Sequence, residues 1–85
     1  MEKSPFTREY SIFLEHLRRA RLSVSVTQAE LATRLAATQS FVSKCERGER
    51  RLDFIEVRAW CHALDISFMS FLSKLDKSLK RHNVQ

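Results

Sequence analysis

Residues 27–48 read Thr27-Gln-Ala-Glu-Leu-Ala-Thr-Arg-Leu-Ala-Ala-Thr-Gln-Ser-Phe-Val-Ser-Lys-Cys-Glu-Arg-Gly48. They encode two short helices joined by a tight turn. Thr27 and Glu30 have the spacing of a capping box, in which each side chain satisfies the other's free backbone N–H. Val26 and Leu31 flank that box as a hydrophobic staple. Ala29, Ala32 and Leu35 continue the helix, which stops by Ala36. Thr38 is placed to cap a second helix running to about Glu46. Gly48, the only glycine in the chain, can take the left-handed conformation that ends it.

About three residues separate the first of these helices from the cap of the second, which forces a steep crossing, as in a helix-turn-helix. Outward from the pair, both flanks read as helix. Upstream, Tyr10, Phe13, Leu14, Leu17 and Val24, with Ala20 between, have the i, i+3, i+4, i+7 spacing of a first helix. It should end near Arg21–Ser23. Downstream, Asp53 and Glu56 repeat the capping box, with Leu52 and Val57 as the staple. Val57, Trp60, Cys61 and Leu64 then form the inner stripe of helix four. Ser67 can cap helix five, whose stripe is Phe68, Phe71, Leu72, Leu75 and Leu79. Period-2 alternation is absent, so an all-α, five-helix bundle is expected. Residues 7–80 should form its single domain, with 1–6 a flexible tail, 81–85 a frayed end and the second helix of the pair at about 38–46.

The formal charge is +5, and its position matters more than its size. Residues 18–51 hold eight basic and three acidic side chains, while the remainder balances to zero. Either this is a solvated basic face or the partner is a polyanion. No apolar run approaches the ~20 residues of a membrane span, and no secretory signal is visible. A cytoplasmic setting is expected. Cys45 and Cys61 fall on apolar stripes and read as reduced, buried fillers. His16, His62 and His82 fit no metal-ligand spacing. One glycine cannot build a phosphate loop, and paired carboxylates are absent outside the capping boxes. No catalytic residue, metal or cofactor is therefore assigned.

On the second helix of the pair, Val42 and Cys45 point inward. Gln39, Ser40, Ser43, Lys44 and Arg47 cover the outer faces. These types suit base edges in the major groove: Gln pairs bidentately with adenine, Lys donates to guanine, and Ser donates or accepts. An ordinary solvated helix face is the alternative. Phe41 either packs against a neighbouring helix, which is preferred, or touches a thymine methyl group.

From about Phe13 to Leu72 the chain resembles the lambda-repressor-like (Cro/XRE-type) helix-turn-helix family of small bacterial regulators. The carrying residues are Thr27-Gln28-Ala29-Glu30-Leu31-Ala32, Gln39-Ser40-Phe41-Val42-Ser43-Lys44, Glu46-Arg47-Gly48-Glu49-Arg50-Arg51-Leu52-Asp53, and Ala63-Leu64 before Ile66. The resemblance implies that Gln39, Ser40 and Lys44 face bases and that Gln28 bonds a DNA phosphate. Thr38, Arg47, Arg50 and Arg51 join Gln28 along the DNA backbone. It also implies a structural ion pair between Glu46 and Arg21. Ser25, Ala36 and Asp65 stand where the family often has glycine, and Cys45 stands where a larger apolar residue is common.

The function so implied is sequence-specific binding of double-stranded DNA in transcriptional regulation, by a homodimer on a palindromic operator. Met69 and part of Phe68–Leu79 either supply dimer contacts or close the small bundle. With no second domain, no dedicated small-molecule effector is expected. Three alternatives share the fold: an antitoxin that also binds a toxin protein, a restriction–modification controller, and a mobile-element repressor. A protein-interaction bundle without DNA affinity is the rival from another class.

Overall fold

In the computed structural model, which describes residues 7–82, four helix starts are fixed by a capping side chain at Thr27, Thr38, Asp53 and Ser67. The helices are α1 (Thr7–Ser23), α2 (Gln28–Arg34), α3 (Gln39–Glu46), α4 (Phe54–Ala63) and α5 (Phe68–His82). No strand occurs among the described residues. Thr27 Oγ1 accepts from the Glu30 N–H at 3.0 Å while Glu30 Oε1 accepts from the Thr27 N–H at 2.8 Å. Asp53 and Glu56 make the same reciprocal pair at 2.7 and 2.8 Å. Thr38 and Ser67 each accept one N–H three residues on, both at 3.0 Å. Each cap is worth about 1 kcal/mol.

The exits of α1 to α4 share one geometry. Ser25 (φ 57°), Ala36 (φ 56°), Gly48 (φ 82°) and Asp65 (φ 58°) are left-handed. In each case the next residue's N–H reaches back to an orphan carbonyl of the preceding helix. The bonds are Val26 to Arg21 (3.2 Å), Ala37 to Ala32 (2.8 Å), Glu49 to Lys44 (2.9 Å) and Ile66 to Cys61 (3.0 Å). This is the Schellman motif, which prefers glycine at the left-handed position. Only one of the four has it. Ser25, Ala36 and Asp65 therefore each carry a Cβ against the carbonyl, at about 1 kcal/mol apiece, and Asp bears it best. Gly48 is constrained twice, because a Cβ there would also lie 2.9 Å from Leu14 Cδ1.

The core is drawn from all five helices and one turn. Leu17, Leu31, Val42, Cys45, Trp60 and Leu64 are buried, with Val26 sealing the α1–α2 turn and Phe71 the α5 side. Helix α1 packs on α5 and α3, and α2 lies between α3 and α4. Phe71 is the only residue of α5 to be fully buried; Phe68, Leu72 and Leu75 are half-buried against the core. Cys45 and Cys61 are free and buried. Burial pushes the Cys61 thiol up to about 11 and the Cys45 thiol upward as well, so both stay protonated at neutral pH.

One expectation needs adjustment. Val24 does not extend the stripe of α1: it lies beyond Ser23 and is 39% exposed, because the left-handed turn at Ser25 brings Val26 inward instead. Helix α2 ends at Arg34 with Leu35 as its cap. Helix α5 continues through Arg81 and His82, where fraying was expected from 81; residues 83–85 and the expected tail at 1–6 lie outside the described residues.

Ala36→Gly should raise stability slightly, by up to about 0.5 kcal/mol, the relief of left-handed strain less the entropy cost of glycine. For a domain of this size that is a rise in Tm of at most about 4 °C. Asp65→Gly should gain less. Gly48→Ala should lower stability by more than Ala36→Gly raises it. Urea titration of the three variants checks the order.

Candidate nucleic-acid interface

Helix α3 has eight residues, too few to hold a conformation or a direction by itself. Its inner side, Val42 and Cys45, is buried. Apolar contact is non-directional, so the rotation of α3 about its axis needs another constraint. Arg21, at the end of α1, supplies it. Its Nε donates to Glu46 Oε2 at 2.7 Å and its Nη2 to Glu46 Oε1 at 3.0 Å. Nη1 donates to the Val26 carbonyl at 2.9 Å. The two side chains are only 8% and 4% exposed. Gln28, the first residue of α2, donates from Nε2 to Glu46 Oε1 at 3.0 Å. One carboxylate thus gathers the end of α1, the start of α2 and the end of α3.

That anchoring turns a polar arc outward. At 100° per residue, Gln39, Ser43, Arg47, Ser40 and Lys44 fall within an arc of about 140°. Gln39, Ser40 and Lys44 are exposed, and Lys44 has no ion-pair partner among the described residues. Ser43 is half-buried and its hydroxyl accepts from Arg47 Nη1. Phe41 sits at the edge of the arc, half-buried and packed against the core.

Each of the residues assigned to the DNA backbone is already held in the free chain. Thr38 Oγ1 is engaged as the cap of α3, but a hydroxyl that accepts one bond keeps its own proton to donate. Gln28 has one of its two amide hydrogens on Glu46 and the other still to give. Arg47 Nε donates to Glu49 Oε2 at 2.9 Å. Arg50 pairs with Glu56 at 2.9 Å, bonds the Arg51 carbonyl at 2.6 Å, and has its guanidinium carbon 5.1 Å from the Phe41 ring centre. Arg51 lies over the Tyr10 ring at 4.1 Å, and the Tyr10 hydroxyl accepts from the Leu52 N–H at 3.2 Å.

The counter-charges Glu49 and Glu56 and the platform Tyr10 are absent from the sequence-based set. Glu49 was within reach of detection, two residues from Arg47. Glu56 was visible only as a capping residue, and Tyr10 only as part of a helical stripe. The Arg47 hydrogen bond holds the Glu49 carboxyl below its ordinary value, and the Arg50 hydrogen bond does the same for Glu56. Both folded values lie below the unfolded ones. The stabilisation is therefore present above the ordinary carboxylate range and lost as pH falls through the depressed values. Both pairs are exposed and contribute little.

Among the described residues no three His, Cys, Asp or Glu side chains converge to hold a metal ion. No helix there is long and apolar enough to cross a membrane. A sequence profile of a helix-turn-helix domain matches residues 11–67. The solved structure of an XRE-family like protein from Pseudomonas syringae pv. tomato str. DC3000 superposes with a TM-score of 0.76 at 44% identity, covering 82% of this chain and 88% of that one. The wild-type restriction-modification controller protein C.Esp1396I superposes with a TM-score of 0.81 at 24% identity, covering 89% and 99%. That likeness is one of fold. A search of curated proteins finds no match.

Arg21→Met should leave Glu46 buried and charged without its partner, at a cost of about 3–5 kcal/mol. Arg21→Met combined with Glu46→Leu should recover most of that loss. Chemical denaturation of the two variants distinguishes this from two independent surface contacts, whose effects would simply add.

Proposed function

The chain belongs to the Cro/XRE-type helix-turn-helix family, and from that premise we propose that it is a transcriptional regulator that reads double-stranded DNA as a homodimer. The observation that carries the reading is the outer arc of α3. Gln39, Ser40 and Lys44 are exposed hydrogen-bonding side chains on a helix whose rotation is fixed from behind by a buried ion pair. Laid in the major groove, Gln39 meets adenine, Lys44 donates to guanine, and Ser40 and Ser43 adapt. Gln28, Thr38, Arg47, Arg50 and Arg51 meet phosphates on either side. Those contacts set register without reading sequence.

One helix this short reads too few base pairs to be selective in a genome. A two-fold dimer doubles the site and places two copies of α3 about one helical turn apart, ~34–36 Å. The surface offered for pairing runs over the starts of α4 and α5. Phe54, Ile55 and Met69 are 62%, 68% and 72% exposed. The Phe54 ring packs edge-on against Phe68 with centroids 5.1 Å apart, joining the two helix starts into one apolar face. Clustered exposure of large apolar side chains on a small chain favours association. Such a regulator acts in the bacterial cytoplasm.

Selection from a random duplex pool should enrich a palindrome. Binding with no preference over unrelated competitor DNA at moderate ionic strength would remove the proposal. Lys44→Ala should cost about 1–3 kcal/mol and relax one operator position in each half-site. Arg50→Ala should instead weaken all sequences alike and lower the salt slope by about one per protomer. Ile55→Asp with Met69→Asp should halve the sedimenting mass and abolish palindrome binding while leaving the helical spectrum unchanged.

A further inference from the structure

The seam between α1 and α5 opens into a concavity of about 540 Å³, within the range of small-molecule sites. No residue of α2 or α3 lines it. Its polar groups are unusual in sign: His16, Arg19 and Lys74 border it, and no carboxylate does. Ala20, Ile66 and Phe71 make its apolar lining. Ser67 and Ser70 mark the N-terminal end of α5 at its edge, where the helix dipole adds partial positive charge. Glu15 pairs with Arg19 at 2.6 Å from outside the concavity, both being well exposed. Lys74 has no ion-pair partner among the described residues. His16 responds to this surrounding. Burial first, then the Arg19 and Lys74 charges, hold its imidazole below the ordinary value, against the opposing pull of Glu15.

A concavity that combines an apolar patch with unopposed cations lacks one thing: a negative charge attached to an apolar body. We propose that the α1–α5 groove binds a small amphiphilic carboxylate, its aryl or alkyl group on Ile66 and Phe71 and its carboxylate between Arg19 and Lys74. This departs from the sequence-based expectation of no small-molecule effector. It also goes beyond DNA reading, because ligand binding is measured on the DNA-free chain and stands or falls independently of the operator.

The test is an NMR titration of the ¹⁵N-labelled full chain with phenylacetate, using phenylacetamide, inorganic phosphate and a random-sequence duplex in parallel. Phenylacetate should shift the Ala20, Ser67, Ser70 and Lys74 amides saturably and raise the titration midpoint of His16, since an added anion favours the imidazolium. Arg19→Gln with Lys74→Gln, both exposed positions whose fold the same spectrum verifies, should weaken phenylacetate roughly tenfold or more, as expected for lost charge-assisted hydrogen bonds. The proposal is overturned if phenylacetamide binds as tightly, since the groove is then merely apolar. It is overturned if phosphate matches phenylacetate, since the apolar lining then contributes nothing. It is also overturned if Arg19→Gln with Lys74→Gln weakens the duplex as much as it weakens phenylacetate, since the cations then belong to a DNA contact, or if no saturable shift occurs at all.

Discussion

Glu46 is the point on which the geometry turns. A carboxylate buried in a protein interior must be matched by donors or it forces the structure apart. Here three N–H groups meet it, two from Arg21 and one from Gln28. The remaining terminal nitrogen of Arg21 reaches the Val26 carbonyl. The bidentate fork is planar and admits little rotation. An apolar replacement of similar volume could match the pair in stability and still let α3 roll about its axis. The pair's contribution is orientation: it decides which 140° or so of α3 faces outward, and therefore which side chains are available to a partner.

What the sequence made legible was mostly local. Capping boxes act across three residues, so Thr27 with Glu30 and Asp53 with Glu56 announced α2 and α4 to within a residue. Helical stripes placed Leu17, Leu31, Val42, Trp60 and Phe71 in the core for the same reason. The three strained exits were accessible only through the family resemblance, because Ser25, Ala36 and Asp65 carry no intrinsic sign of a positive φ. The misjudged Val24 shows the other limit: a stripe read on periodicity alone continues past the point where a left-handed residue breaks the period. Contacts between distant segments were out of reach of local pattern, and the Arg21–Glu46 pair was expected only through the family resemblance. Nothing in the order of residues says that Arg51 will lie over Tyr10 or that Glu56, beyond capping α4, will also hold Arg50.

Those distant contacts change the electrostatic reading. Residues 18–51 carry a formal excess of +5, yet Arg47 and Arg50 spend their charge on Glu49 and Glu56 in the free chain. On the proposed DNA-binding reading, a phosphate would have to displace or share those carboxylates. Exposed pairs contribute only about 0–1 kcal/mol, so exchange is cheap where phosphates arrive in register. Elsewhere the glutamates reduce the long-range attraction that any duplex exerts. The guanidinium groups are also held in place, Arg50 beside Phe41 and Arg51 on Tyr10, so less side-chain entropy is lost on contact. The basic loop is therefore moderate in charge and defined in shape, which suits discrimination better than a freely swinging cluster of the same size.

Helix α5 shows why a bundle this small can present several surfaces. Only Phe71 is fully buried along its length. The apolar Met69 and the basic Lys74 both remain exposed, the first beside the α4 start and the second at the α1 seam. Helix α1 backs that seam with His16 and Arg19, and two residues further on its side chain Arg21 grips Glu46. Those two residues belong to one continuous helix, and an α-helix transmits displacement along its axis as a rigid element. Apolar packing tolerates small sliding, whereas a bidentate pair at 2.7 and 3.0 Å does not. The bond that fixes the rotation of α3 thus begins on the same helix that lines the α1–α5 groove.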